Sequence, residues 1–278
     1  MLWYAFKRKR CSVQKTEGLR DVSKRVKMKA VPDAALKTWQ EEIMQQYKRM
    51  NIVILNGQNH KGSTYHIGKM LADKLGGKVT EFFFPKDFGQ FCMGCTGCFG
   101  KSETVCPHYE KLKPITEAMD KADVLILTSP VYVYHVTGSM KAFLDHYGYR
   151  WMVHRPEERM FSKQAVCIAT AAGAGMRSAI KDMTDSMFFW GVAKTYKYGV
   201  AVRETSYARV DEKIKRKIDR RTTALAGEII KNRGRVHAGW KTKIFFHMMR
   251  MLQKMGWNEA DCTYWKEKGW SGKKRPWK

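Results

Sequence analysis

The sequence predicts an α/β fold, a five-stranded parallel sheet with helices on both faces. Three observations carry this. NIVILNG is almost continuously apolar, as a strand buried on both sides must be, and four further short runs read as strands. Between them lie stretches whose apolar residues recur at helical spacing. Asn-Gly, Ser-Pro and Ala-Gly pairs punctuate the strand ends. Strands alternating with helices in this way form a parallel sheet.

The elements follow in order. NIVILNG, from Asn51, is the first strand, and STYHIGKMLADKL supplies a helix with Ile67, Met70, Leu71 and Leu75 on one side. KVTEFFF is the second strand. A cysteine-rich loop follows, then a helix over Tyr109–Lys121. ADVLILTSP is the third strand and SMKAFLDHYGY its helix. KQAVCIATAAG is the fourth strand, MRSAIKDMTDSMFFW a helix, and AKTYKYGVAV the fifth strand. DEKIKRKIDRRTTALAGEIIKN closes the series as a long charged helix. The chain thus divides into a basic extension over residues 1–49, with a helix expected from Ala34 to Met50, an α/β domain over 50–235, and a basic, Trp-rich helical tail over 236–278.

Composition limits the function. The 278 residues suffice for one large domain with extensions, and 44% hydrophobic content predicts a folded core. No apolar run reaches the ~18 residues that span a bilayer. The start, MLWYAFKRKR, lacks the form of a secretory signal. A cytoplasmic protein with reduced, metal-bound or catalytic thiols is expected. The net charge is +26, half of it in residues 203–278. Such a surface suits nucleic acid, anionic lipid or an acidic partner, or is simply solvated. No zinc-finger, RRM or helix-turn-helix pattern supports nucleic acid. In the tail, KTKIFFHMMRMLQKMGW places Ile244, Phe245, Met248, Met249, Leu252 and Met255 on one broad helical face. That face packs on the domain or a second subunit, or lies on an anionic membrane. Trp257, Trp265, Trp270 and Trp277 predict a packed end.

Three loops at the carboxyl ends of strands are the candidate site, because ligands of open α/β sheets bind there. In NGQNHKGST, Gly62, Ser63 and Thr64 lead directly into a helix. Unpaired amides and the helix dipole favour a phosphate at such a point. His60 or Lys61 can add charge; ordinary helix capping by Ser63 or Thr64 is the alternative. Neither a Walker A loop nor GxGxxG is present. In TSPVYVYH, Pro130, Val131, Tyr132 and Tyr134 offer a surface for a flat aromatic ligand or serve the core. In TAAGAG, the small residues Ala172, Gly173 and Ala174 permit close backbone approach. Together the three loops suit a mononucleotide with a planar ring.

The motifs NGQNHKGST and ADVLILTSPVYVYHVTGSMKAFLDH resemble the flavodoxin-like NAD(P)H-dependent flavin reductases over about residues 51–203. The resemblance implies a flavodoxin-like, doubly wound sheet of order 2-1-3-4-5. It also implies bound FMN, with its phosphate on the first loop and its ring against the other two, and NAD(P)H as hydride donor. Many members carry an Arg where this chain has His60, so His60 or Lys61 takes over that contact. A homodimer or homotetramer is implied as well, with the cysteine loop facing a neighbouring subunit.

Four of the seven cysteines lie in QFCMGCTGCFGKSETVCP. CxxCxxC followed by Cys-Pro is similar to the ligand pattern of a [4Fe–4S] cluster. In the iron–sulfur flavoproteins, a branch of the same family, such a motif stands between the second and third strands, as Cys92, Cys95, Cys98 and Cys106 do here. Structural zinc, free thiols and a dithiol exchanging electrons with the flavin are the other readings. Cys167 belongs to the core, and Cys11 and Cys262 have no visible partners. The functional expectation is an FMN-dependent NAD(P)H oxidoreductase relaying electrons between FMN and a [4Fe–4S] cluster. The alternatives are a basic scaffold for nucleic acid or membrane, and a flavin electron carrier without a pyridine nucleotide site.

Overall fold

The computed structural model describes residues 50–277. The N-terminal extension, with its expected helix and Cys11, lies outside the described residues. The sheet comprises β1 (Asn51–Asn56), β2 (Lys78–Phe83), β3 (Val124–Pro130), β4 (Gln164–Ala171) and β5 (Lys194–Ala201). All neighbours pair in parallel, in the order β2-β1-β3-β4-β5. This is the expected doubly wound flavodoxin-like sheet.

Alternation along each strand divides the core in two. Val53, Leu55, Leu125, Leu127 and Cys167 face α2 (Tyr109–Lys121), α3 (Gly138–Asp145) and α4 (Met176–Phe189). Ile52, Ile54, Ile126 and Ile168 face α1 (Ser63–Leu75) and α5 (Glu212–Lys231). Because both faces are covered, the central strands β1, β3 and β4 are buried at nearly every position, whereas the edge strands β2 and β5 keep polar residues such as Glu81 and Lys197.

Two further helices follow, α6 (Trp240–Lys254) and α7 (Glu259–Glu267). Phe246 and Met249 of α6, with Trp265 and Trp270, form a third cluster with Met152 and Phe161 of the domain. The Phe246 ring lies 5.7 Å from Phe161 and 4.6 Å from Trp265. The single apolar face expected for α6 is therefore only partly right: Phe245, Met249 and Leu252 pack on this cluster. Phe246 is fully buried, while Ile244, Met248 and Met255 point outward. Stripes on opposite sides of the helix interleave in sequence and read as one broad face. Trp257 is also exposed, whereas Trp265 and Trp270 are buried as expected.

Lys163 lies at the amino end of β4, almost fully buried. Its ammonium donates to the carbonyls of Asp120 (2.8 Å) and Ala122. Burial pushes its pKa down from 10.5 to about 8 despite the nearby Asp120 and Asp123. Between those values the unfolded chain binds more protons, so this group adds stability as pH rises. Cys167, whose thiol burial pushes up, titrates the opposite way in the same range. The effect is therefore read as a difference from Lys163→Met. From about pH 8 to 10 the difference should move in favour of wild type by up to about 1.4 kcal/mol per unit in chemical denaturation. A flat difference would show an ordinary lysine.

Candidate functional site

A cleft of about 220 Å³ opens at the carboxyl ends of β1, β3, β4 and β5. A larger cavity of about 910 Å³ lies at the opposite edge, beside Lys163. The smaller cleft is the one placed where loops and a helix N-terminus converge on a ligand.

Its floor is the N-terminus of α1. Gly62 caps the helix with extended backbone, no side chain caps the first turn, and no acid occupies it. Ser63 and Thr64 are buried, but their hydroxyls face elsewhere. Ser63 Oγ donates to the Glu204 carbonyl at 3.3 Å, and Thr64 Oγ1 pairs with Thr170 Oγ1 of β4. The capping alternative is thereby removed, and the first-turn amides keep their capacity for an anion. A Cβ on Gly62 would stand 2.7 Å from His60 Nε2 and 3.2 Å from the Thr205 carbonyl. Upstream, the Gly57 carbonyl accepts from Thr137 Oγ1 (2.6 Å) and Ser139 Oγ (3.0 Å), fixing the first loop to the start of α3.

Of the expected residues, His60, Gly62, Ser63, Thr64, Pro130, Val131, Tyr132 and Ala172 line the cleft. Lys61 does not, and its ammonium sits 5.5 Å from the Tyr65 ring centre. Tyr134, Gly173 and Ala174 lie outside the lining and are exposed. The aromatic loop is a tight turn closed by reciprocal backbone bonds between Tyr132 and His135. Val133 and Tyr134 both take left-handed backbone, at φ 45° and 66°. This costs a β-branched residue on the order of 1–2 kcal/mol. Asp182 of α4 holds the turn, accepting from the Val136 amide at 3.2 Å and meeting His135 Nδ1 at 3.0 Å. The Tyr132 hydroxyl accepts from Gln58 Nε2 and so bridges the first two loops. Gly175, at φ 92°, approaches this turn so closely that a Cβ would meet Val131 Cγ1 at 2.6 Å.

A fourth wall, Val202, Arg203, Glu204 and Thr205 after β5, was not foreseen. Glu204 pairs with Arg209 at 3.3 Å. Arg203 forms no ion pair among the described residues, is exposed, and has left-handed backbone at φ 58°. It therefore supplies a cation to the cleft. Its only sequence signal was its place just beyond a strand's carboxyl end.

The cysteine loop runs from β2 to α2. Cys98 lies in one helical turn, Gly97–Gly100, entered through left-handed backbone at Gly94 and Thr96. Cys92 and Cys95 are exposed, Cys98 and Cys106 partly buried, and none forms a disulfide. Burial, then the neighbouring Cys106, Cys92 and Cys95, raise the Cys98 thiol pKa. The four thiols thus share one loop, and among the described residues the donors drawn together as a set are not these four but Cys106 with two histidines. Arg155 donates to the Cys98 and Phe99 carbonyls, and Asn258 donates to Phe99 at 3.3 Å. Arg155 is itself paired with buried Asp261 at 2.5 Å, and Asp261 also meets His154 Nδ1 at 2.7 Å.

Beside this loop, Cys106, His108 and His146 bring one donor atom each within 4.8 Å of one another. The Ala142 carbonyl, 2.7 Å from His146 Nδ1, accepts its proton and leaves Nε2 as an acceptor for His108 Nδ1 at 2.8 Å. Burial lowers the His146 pKa, keeping it neutral. Sequence spacing alone did not reveal this trio, because His146 comes from the C-terminal cap of α3, 38 positions from His108. Cys167 is buried as expected, and Cys262 donates to the Gln253 carbonyl.

Comparison with known proteins bears on this arrangement. The family profile described as NADPH-dependent FMN reductase matches residues 50–205. An iron-sulfur flavoprotein of Archaeoglobus fulgidus is 27% identical over 186 residues, covering 64% of this chain and 79% of that protein. FMN-dependent NADH:quinone oxidoreductase 3 of Pseudomonas aeruginosa is 25% identical over 144 residues, covering 46% of this chain and 68% of that protein. A solved structure described as flavone reductase shares the fold at TM-score 0.50 and 14% identity, covering 68% of this chain and 66% of that one.

Proposed function

Because the chain belongs to the NADPH-dependent FMN reductase family, we propose that it binds FMN in the cleft at the N-terminus of α1 and accepts electrons from NAD(P)H. The observation that carries this reading is the uncapped first turn of α1 opening onto a cleft that contains an unpaired Arg203. The amides after Gly62 would hold the phosphate, with Arg203 and His60 supplying charge. Pro130, Val131, Tyr132 and Ala172 would border the ring, with the exposed Tyr134, Gly173 and Ala174 available to its outer edge. Bound FMN supplies the exchange between a hydride and single electrons, and no side-chain acid or base is required.

We propose further that Cys92, Cys95, Cys98 and Cys106 hold a [4Fe–4S] cluster that exchanges electrons with the flavin. The spacing of the four cysteines on one loop and the iron-sulfur flavoprotein relative support this. Exposed Phe91, Met93 and Val105 around the loop favour a neighbouring copy there, as in a homodimer or homotetramer. A second reading rests on one observation, the trio Cys106, His108 and His146, which fits a single zinc ion.

Anaerobic purification followed by FMN, iron, sulfide and zinc analysis tests these readings. About one FMN, four irons and four sulfides per chain are expected. Zinc without iron would favour the second reading, and absence of flavin would overturn the first. Rapid mixing with NADH and with NADPH should bleach the flavin directly; no bleaching with either would leave an electron carrier.

A further inference from the structure

Helix α6 carries two apolar faces, and among the described residues only one has a partner. Thr242, Phe246, Met249 and Gln253 are buried against the protein. Trp240, Ile244, Met248, Met251 and Met255 are all more than half exposed. At 3.6 residues per turn these five fall within an arc of about 80°, on the side opposite the buried face. Trp257 continues the stripe beyond the helix end, so a tryptophan stands at each end.

Charge decides what could cover the stripe. From Ile229 to Asn258 the chain has seven Lys and Arg and no Asp or Glu. Lys241 and Lys254 are exposed beside the stripe, and the Lys241 ammonium lies 5.5 Å from the Trp240 ring centre. Two copies meeting through this face would oppose the lysines of α6, with the nearest following acid, Glu259, only beyond the far end of the stripe. A nucleic acid would present phosphates to an apolar centre. An anionic lipid surface meets both requirements: acyl chains accept Trp, Ile and Met, while headgroups accept the lysines. Tryptophans at the ends suit the boundary between the two.

We propose that the outward face of α6 lies in the headgroup region of an anionic bilayer, anchoring the protein peripherally through Trp240, Ile244, Met248, Met251, Met255 and Trp257. No helix among the described residues is long and apolar enough to cross a membrane, so the contact is interfacial. The binding needs neither flavin nor metal and stands apart from the redox reading.

Vesicle co-sedimentation of the full chain tests the proposal, comparing phosphatidylcholine alone with phosphatidylcholine containing about a third phosphatidylglycerol. Binding should be at least about tenfold stronger to the anionic vesicles and weaken as salt rises. The triple variant Ile244→Gln, Met248→Gln, Met251→Gln keeps every charge and alters only exposed positions. It should lose at least about tenfold in vesicle binding with an unchanged melting temperature. Equal binding by the variant would overturn the proposal, since the basic surface alone would then suffice. A smaller sedimenting species for the variant, without vesicles, would also overturn it by assigning the face to a second copy. Failure of the wild type to bind either vesicle would do the same.

Discussion

Cys98→Ala leaves the anaerobically purified protein with less than about one iron per chain, against about four in the wild type, while FMN content stays the same. A [4Fe–4S] cluster rarely survives loss of one of four thiolates, and Cys98 is the partly buried candidate whose carbonyl Arg155 holds, with Asn258 fastening the next carbonyl, that of Phe99. Cys98 is only partly buried, so its truncation to alanine should leave the metal-free loop folded. Iron and acid-labile sulfide assays with the visible spectrum provide the readout. If metal instead sits on Cys106, His108 and His146, Cys98→Ala leaves the metal content intact and His146→Ala removes it. Unchanged iron in Cys98→Ala would remove that residue from the ligand set.

Gly62→Asp should move stability and flavin affinity in opposite directions. An aspartate at this position can accept from the first-turn amides, and replacing glycine at a helix cap gains a few tenths of a kcal/mol. The helix dipole adds about 0.5 kcal/mol. The nearest atom belongs to the exposed His60 side chain, which can swing aside, and the Thr205 carbonyl at 3.2 Å need give by only a few tenths of an ångström. The same carboxylate occupies the donors required by a phosphate and repels it. At about 4 Å that repulsion is ~1–4 kcal/mol between surface and protein-like dielectric. FMN affinity, measured by quenching of flavin fluorescence on the apoprotein, should fall at least about 100-fold, with the apoprotein's melting temperature unchanged or higher. Undiminished affinity would remove the phosphate from α1.

Most elements were legible because their apolar periods were clean. The α1 and α2 boundaries were read as Ser63–Leu75 and Tyr109–Lys121, and the structure has them there. The central strands β1, β3 and β4, buried on both faces, cannot be confused with amphipathic surface segments, while the edge strands β2 and β5 mix in polar residues such as Glu81 and Lys197 and carry a weaker signal. The missed features have physical reasons. Arg203 sits in a strained loop with no periodicity, and a single exposed cation leaves no pattern. α7 is a short helix of mixed polarity, defined by Asn258, whose side chain accepts from the Asp261 amide. Thiol spacing marked Cys92, Cys95, Cys98 and Cys106, but their support is non-local. Arg155 and Asn258 reach the loop across 57 and 159 positions of sequence.

That distance has a consequence for biogenesis. Translation proceeds at about 5–20 residues per second, so Asp261 emerges roughly 10–30 s after Cys106. Throughout that interval the nascent chain displays all four thiols without Asn258 or the carboxylate that anchors Arg155. Maturation of the loop is therefore a late event, completed only as the last helix is made. A premature stop just before codon 258 would spare every strand and every cleft residue, yet deliver a cysteine loop without its long-range fastenings.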